Sequence, residues 1–218
     1  MEMNMRDLEI RREIMIHSDL EGRGISDPIV LSAMREVPRE EFVPEKFREQ
    51  AYEDYPLPIE EGQTISQPYI VAYMVVALEL SRGDRVLEIG AGSGYSAAVL
   101  SRIVSQVYTK ERFASLAESA KKRLQRLGYD NIKISVGDGT LGWPEESPYD
   151  AIVVTAGAPR VPEPLLKQLV VGGRLVIPVG SDRFGQSLVR VRCIKEDEYL
   201  KEHLLAVQFV PLIGAAGW

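Results

Sequence analysis

The chain is poor in the residues that usually staple or metallate a protein. Cys193 is the single cysteine among 218 residues. One thiol excludes an internal disulfide framework and a cysteine-based zinc site, and it suits a reducing compartment. His17 and His203 are the only histidines and stand far apart, so no metal is expected. Long apolar runs are missing too. Tyr69–Leu80 is interrupted by Glu79 and falls short of the roughly 20 residues that a membrane span needs. Met1–Arg12 is charged and has no apolar stretch of the kind a secretory signal carries. A surplus of positive charge is also absent. The formal net charge is −6, which argues against broad nucleic-acid binding. The expectation is a cytoplasmic protein with no membrane and no nucleic-acid partner. What is present is ordinary for a globular chain: 45% hydrophobic and 27% charged residues, and length enough to bury a core without staples.

Composition shifts near residue 82. One domain in three stretches is expected: an N-terminal helical arm with a long loop over 1–81, a βα core over 82–180 and C-terminal strands over 181–218. In the arm, Leu8, Ile10, Ile14 and Met15 make a loose helical stripe within Arg6–His17. Asp27-Pro28 is a cap followed by a first-turn proline, so a second helix should run to about Glu36 and stop at Val37-Pro38. Phe42 and Phe47 read as core anchors. Tyr52–Pro68 contains three prolines and a glycine, which forbid a regular helix. A loop this long is usually functional or disordered, and Tyr52, Tyr55, Leu57 and Ile59 favour a packed, functional one. Pro68 should open a helix through Leu80.

From Gly83 the pattern becomes rhythmic. Short apolar runs at Arg85–Ile89, Gln106–Thr109, Ile132–Val136, Asp150–Thr155 and Arg174–Val179 alternate with helical patterns at Tyr95–Ile103, Phe113–Leu127 and Pro162–Leu169. That alternation predicts an α/β fold, a doubly wound, mostly parallel sheet with helices on both faces. Ser187–Ile194 and Leu200–Phe209, joined by the charged turn Lys195–Glu198, should close the seven-stranded sheet as an antiparallel hairpin.

Glu88-Ile89-Gly90-Ala91-Gly92-Ser93-Gly94 follows a strand and opens a helix. Glycines let the backbone approach a ligand closely, and the helix N-terminus offers free N–H groups. The spacing G-x-G-x-G is neither the dinucleotide fingerprint G-x-G-x-x-G nor a phosphate-binding P-loop. A glycine turn serving only strand–helix packing is the alternative. Two acids sharpen the reading. Glu111 ends the next strand, where an acidic side chain can accept from ribose hydroxyls. Asp138, in Val136-Gly137-Asp138-Gly139, is placed to accept from an adenine amino group, or to make a simple Asp-Gly turn.

The loop and its acids resemble the class I S-adenosylmethionine-dependent methyltransferases, over roughly residues 82–180. Longer segments narrow the resemblance: YEDYPLPIEEGQTISQPYIVAYM, VLEIGAGSGYSAAVLS, VGDGTLGWPEESPYDAIVVTAGAP, GGRLVIPVG and FVPLIG. Together these resemble the protein-L-isoaspartate O-methyltransferase family across nearly the whole chain. Lys110, Tyr55 and Pro56 depart from the family pattern. The resemblance implies S-adenosyl-L-methionine as cofactor, S-adenosyl-L-homocysteine as product, and damaged proteins and peptides with L-isoaspartyl or D-aspartyl residues as substrates. A methyl ester formed on the α-carboxylate would collapse to a succinimide and reopen partly to normal aspartate. A monomer is expected.

A carboxylate is already ionised at pH 7, so this transfer needs no general base. It needs alignment. Ser66 is the candidate catalytic residue, a hydroxyl that orients the carboxylate with one hydrogen bond and no charge; a cap for the helix at Pro68 is its structural alternative. Thr64, Ile65 and Gln67 should line the same site beside the cofactor, with Glu88, Gly90, Ala91, Gly92, Ser93, Gly94, Glu111, Asp138 and Gly139. Val210, Pro211, Leu212 and Ile213 should wall the substrate. A methyltransferase for a small molecule or nucleic acid, and a non-catalytic scaffold of the same fold, remain the competing readings.

Overall fold

The computed structural model describes residues 5–181 and 185–218. The first four residues of the expected arm and residues 182–184 of the C-terminal stretch lie outside them. Seven strands form the main sheet: β3 (Arg85–Ile89), β4 (Gln106–Glu111), β5 (Ile132–Val136), β6 (Tyr149–Val154), β7 (Leu169–Val179), β8 (Gln186–Lys195) and β9 (Glu198–Val207). Their order is β5-β4-β3-β6-β7-β8-β9. The first five are parallel, and β8 and β9 run antiparallel as the expected hairpin.

Strand side chains alternate between faces, and the sheet sorts them accordingly. Val86, Ala151, Val153 and Val176 join one apolar cluster. Their neighbours Leu87, Ile152, Val154, Leu175 and Ile177 join the other. Both faces are buried, which is why these strands read as nearly unbroken apolar runs. The first face is covered by α2 (Pro28–Glu36), α3 (Pro68–Ala77), α4 (Tyr95–Ser101) and α5 (Ala114–Arg126), with Leu8 of α1 (Met5–Ile14) in the same cluster. The second face carries the four-residue α6 (Glu163–Leu166), Trp143 and Leu212. Among the described residues no helix is long and apolar enough to cross a membrane.

Several boundaries differ from expectation, each for a local reason. The first helix ends at Ile14, and Met15–Leu20 continues as a wider π-helical segment. α3 stops at Ala77, because Glu79 takes a left-handed φ of 50°. Arg190 and Arg192 of β8 grip its carboxylate at 2.9 and 2.5 Å. α6 is shorter than Pro162–Leu169, since Leu169 already belongs to β7, which starts five residues before the expected Arg174. Tyr52–Pro68 contains a small antiparallel pair, β1 (Leu57–Pro58) and β2 (Thr64–Ile65). Leu57 and Ile65 bury their side chains, and Ile59 N–H donates to the Gln63 carbonyl at 2.9 Å.

Strand order reverses around β3: the chain crosses from β3 to β4 and β5 on one side, then returns from β5 to β6 on the other. Such a switch point leaves a crevice at the carboxyl ends of the strands. α2 of the arm packs against α3 and α4, and its cap forms as expected: Asp27 Oδ1 accepts from the N–H groups of Ile29 and Val30 at 2.9 and 3.2 Å. Asp27→Ala should lower the unfolding free energy in urea by about 1 kcal/mol; an unchanged midpoint would show that solvent satisfies those N–H groups equally well.

Candidate active site

The crevice is an open cleft with a water-accessible volume of about 160 Å³. Thr64, Ile65 and Ser66 of the hairpin line it. So do Gly90, Ala91, Gly92 and Ser93 of the glycine loop, Glu111, Gly139 and the run Val210–Ile213. These come from the three stretches of the chain. Four sequence-derived candidates stand elsewhere. Gln67 lines an adjoining groove, Glu88 is buried beneath the loop, a Cβ at Gly94 would meet Ala120 and Leu124 of α5, and Asp138 holds the C-terminal segment. Sequence reasoning missed Val71, Met74 and Val75 of α3, Phe113 and Thr155 on the walls. The α3 residues were legible only as core, because an apolar side chain lining a cleft has the same pattern as one inside.

The glycine loop is shaped by the chain at one position and open at another. At Gly90, with φ at 100°, a Cβ would sit 2.4 Å from Thr155 Oγ1. That hydroxyl lies 2.8 Å from the Gly90 carbonyl, to which it donates. At Gly92, φ is 51° and a Cβ would meet only Ile59 Cδ1 at 3.5 Å, so the protein itself leaves that face clear. Gly92 N–H donates to Glu111 Oε2 at 2.9 Å, and Glu111 Oε1 accepts from Phe113 N–H at 3.0 Å. Glu111 therefore ties the loop to the end of β4 while its side chain borders the cleft.

Glu88 and Asp138 have different tasks. Glu88 is fully buried. Its Oε2 accepts from Thr109 Oγ1 at 2.5 Å, and Oε1 has no partner. Burial pushes its carboxyl up to about 7, against the opposing pull of the Thr109 and Ser96 hydroxyls. Asp138 Oδ1 accepts from Thr140 N–H and Oγ1 at 2.9 and 2.6 Å, and Oδ2 accepts from Ala215 N–H at 2.8 Å. Burial opposes its ionisation, but these bonds and the Lys110 charge outweigh it and hold the carboxyl below its usual range. The Asp-Gly turn is thus present, and it fastens the segment that follows Val210–Ile213.

Ser66 lines both the cleft and the adjoining groove. Its carbonyl accepts from Arg39 Nη2 at 2.8 Å. It does not cap α3. Asp54 does, accepting from Tyr69 N–H at 3.0 Å and from Gln67 Nε2 at 3.1 Å while pairing with Arg23. Neither histidine reaches the cleft: His17 sits between Glu13 and Glu21 on the surface, and His203 of β9 meets Ser187 Oγ. Tyr55 is exposed and bonded to Gln50, Pro56 lines the groove, and Lys110 lines the cleft with Nζ 5.7 Å from the centre of a Trp143 ring. Among the described residues no group of three or more His, Cys, Asp or Glu side chains is arranged to hold a metal ion.

A family model described as protein-L-isoaspartate(D-aspartate) O-methyltransferase matches residues 10–217. The chain belongs to this family. A protein-L-isoaspartate O-methyltransferase of Pelobacter propionicus is 67% identical over 99% of this chain and 96% of its own length. One from Geotalea uraniireducens is 68% identical over 98% of each. Among solved structures, a protein-L-isoaspartate O-methyltransferase superposes with a TM-score of 0.83 at 37% identity, covering 94% of this chain and 67% of that one. A Plasmodium falciparum chain described as the same enzyme, in complex with S-adenosyl-L-homocysteine, gives 0.80 at 28% identity over 93% and 98%.

The buried Glu88 of this family member makes stability depend on pH. Its carboxyl ionises near 4.5 in the unfolded chain and near 7 in the folded one. The contribution is therefore complete below about 4.5 and lost as pH rises through 7. Relative to Glu88→Gln, the unfolding free energy of the unaltered protein should fall by about 3 kcal/mol across that window. Urea titrations of both proteins at several pH values check this, and parallel pH curves would remove Glu88 as the cause.

Proposed function

We propose that the chain transfers a methyl group from S-adenosyl-L-methionine to the α-carboxylate of L-isoaspartyl residues, and of D-aspartyl residues, in damaged proteins and peptides. The observation that carries the reading is the place of Ser66. It stands where the cleft meets a groove lined by Pro56, Gln67, Ile70, Phe209 and Val210, so a peptide in the groove can offer one carboxylate to a cofactor in the cleft. Cofactor and substrate walls come from one chain, which suits a monomer. The one cysteine, Cys193, is free and suits a reducing, cytoplasmic setting.

The residues present fit this cofactor. Gly90–Ser93 leave backbone close to the cleft, Glu111 offers a carboxylate to ribose hydroxyls, and Ile65 and Phe113 offer apolar surface. The loop has no phosphate-binding lysine of the P-loop kind, in keeping with a ligand that carries no phosphate. Thr64, Ile65, Gly90, Ala91, Gly92, Ser93, Glu111 and Gly139 would hold the cofactor directly. Glu88 and Gly94 would act through the shape of the loop, and Asp138 through the C-terminal segment as well as through any adenine it meets. Gln67 faces the groove. When bound, the sulfonium supplies an already activated methyl group. The chain's own part is to orient the carboxylate through the Ser66 hydroxyl, exclude water and wall the peptide with Val210, Pro211, Leu212 and Ile213. The ester product is the activated form that closes to a succinimide.

Turnover with an isoaspartyl peptide and none with its aspartyl twin is the deciding experiment. Turnover of a nucleic acid or small molecule instead, or cofactor binding with no turnover, would favour the two competing readings. Glu111→Gln should weaken cofactor binding by about 1.5–3 kcal/mol, and unchanged calorimetric affinity would take Glu111 out of the site. Ser66→Ala should lower kcat about three- to a hundredfold with cofactor affinity nearly unchanged. With no general base, kcat should rise with ionisation of the bound carboxylate and carry no limb owed to a histidine. A limb near pH 6.5 that vanishes in a His17 or His203 variant would sink the no-base mechanism.

A further inference from the structure

Arg39 is the largest fully buried side chain among the described residues. It follows Val37-Pro38 and opens the short turn Arg39–Phe42. Its Nε donates to the Ala51 carbonyl at 2.7 Å and its Nη2 to the Ser66 carbonyl at 2.8 Å. Its Cζ lies 4.7 Å from the centre of the Tyr95 ring, the first residue of α4 after the glycine loop. One guanidinium thus joins the arm, the Ser66 loop and the cofactor-loop helix.

The charge itself is left over. Nη1 is buried without a partner; the Tyr95 hydroxyl interacts favourably with the guanidinium, but among the described residues no carboxylate pairs with Arg39. The acids nearby are engaged by others: Glu40 by Arg12 and Tyr52, Asp54 by Arg23, Gln67 and the Tyr69 N–H. An arginine stays charged even when buried. A buried cation with no counter-ion is costly, and an apolar side chain of like volume would pack there without that cost. Its charge is also poorly screened in such surroundings. The missing anion has an obvious source, because the substrate proposed above is a carboxylate bound at Ser66.

We propose that Arg39 is a positioning residue that sets the Ser66 hydroxyl through the Ser66 carbonyl and, by its unpaired charge, favours the ionised substrate carboxylate at the site. This rests on the methyl transfer proposed above. The ionisable groups facing Arg39 are Tyr95 from α4 and Tyr52 and Asp54 from the turn before the hairpin. Both phenols are pushed further above their usual range, chiefly by burial, and Asp54 is held by its three partners. Glu88 titrates beneath the loop in every variant alike, so the informative quantity is a shift between variants.

Arg39→Lys, Arg39→Met and Phe42→Leu should be compared with the unaltered enzyme in kcat and KM for an isoaspartyl peptide, cofactor affinity and the acid limb of kcat. Phe42 packs edge-on against the same Tyr95 ring and controls for lost packing. Arg39→Met should raise KM about tenfold and move the acid limb upward by about one pH unit, since a nearby cation no longer favours the carboxylate. Arg39→Lys keeps the charge but not the fork, so the limb should stay in place while kcat falls about tenfold. Phe42→Leu should lower the melting temperature and leave KM and the limb alone. Unaltered KM and limb in Arg39→Met, or the same shifts in Phe42→Leu, would overturn the proposal. Should Arg39→Met not fold, unaltered kcat in Arg39→Lys would overturn it instead. An unaltered enzyme inactive on the peptide would overturn the reaction on which the proposal rests.

Discussion

A parallel sheet must be buried on both faces, and the rest of this molecule follows from that requirement. β3, β4 and β6 present apolar side chains to each side. α4 and α5, which connect the strands, lie on one face, yet they do not cover it alone. The arm supplies Met15, Met34, Phe42 and Val75 to the same cluster. Covering the sheet therefore brings the arm to the carboxyl ends of the strands. There its hairpin becomes a wall of the cleft, and a segment recruited for burial is also the one that carries Ser66.

Three carboxylates around the crevice show how placement decides chemistry. Glu88 points from β3 toward the face covered by α4, where burial disfavours its charge and leaves one oxygen unpartnered. Glu111, two strand positions further toward the carboxyl end than Thr109, reaches backbone N–H groups and the cleft. Asp138 lies beyond the strand end, where donors from Thr140 and Ala215 favour its charge. Residue type alone would make them equivalent. Depth along the sheet separates a buried polar group, a candidate ligand contact and a fastening point.

The repeating part of the fold was readable because period and punctuation agree. β3 and β5 occupy the expected residues, and Asp27 marks a real helix start. Boundaries set by long-range contacts were not readable. Nothing local says that Glu79 will be held in a left-handed turn by arginines more than 110 positions away. The hairpin within Tyr52–Pro68 escaped notice because two-residue strands leave no alternation to detect. At the site, motif residues around Gly90 and Glu111 were legible by type and spacing. Arg39 was not, since an arginine beside a glutamate pair in a charged arm looks solvated. Only its burial and its bond to Ser66 O distinguish it.

The arrangement proposed at Ser66 would also resolve a conflict inherent in methylating a carboxylate. A cation in direct contact would bind the anion well and hold the lone pair that must attack carbon. A site with no positive charge would leave the nucleophile free but would favour its neutral, unreactive acid in poorly hydrated surroundings. A hydroxyl that donates a single neutral hydrogen bond avoids the first difficulty. A guanidinium one carbonyl removed, bonded to Ser66 O, would avoid the second, because its field would favour the ionised form without occupying the attacking oxygen. On that proposal binding and reactivity are controlled by different groups on different segments, and the backbone of Ser66, bonded to Arg39, is the joint between them.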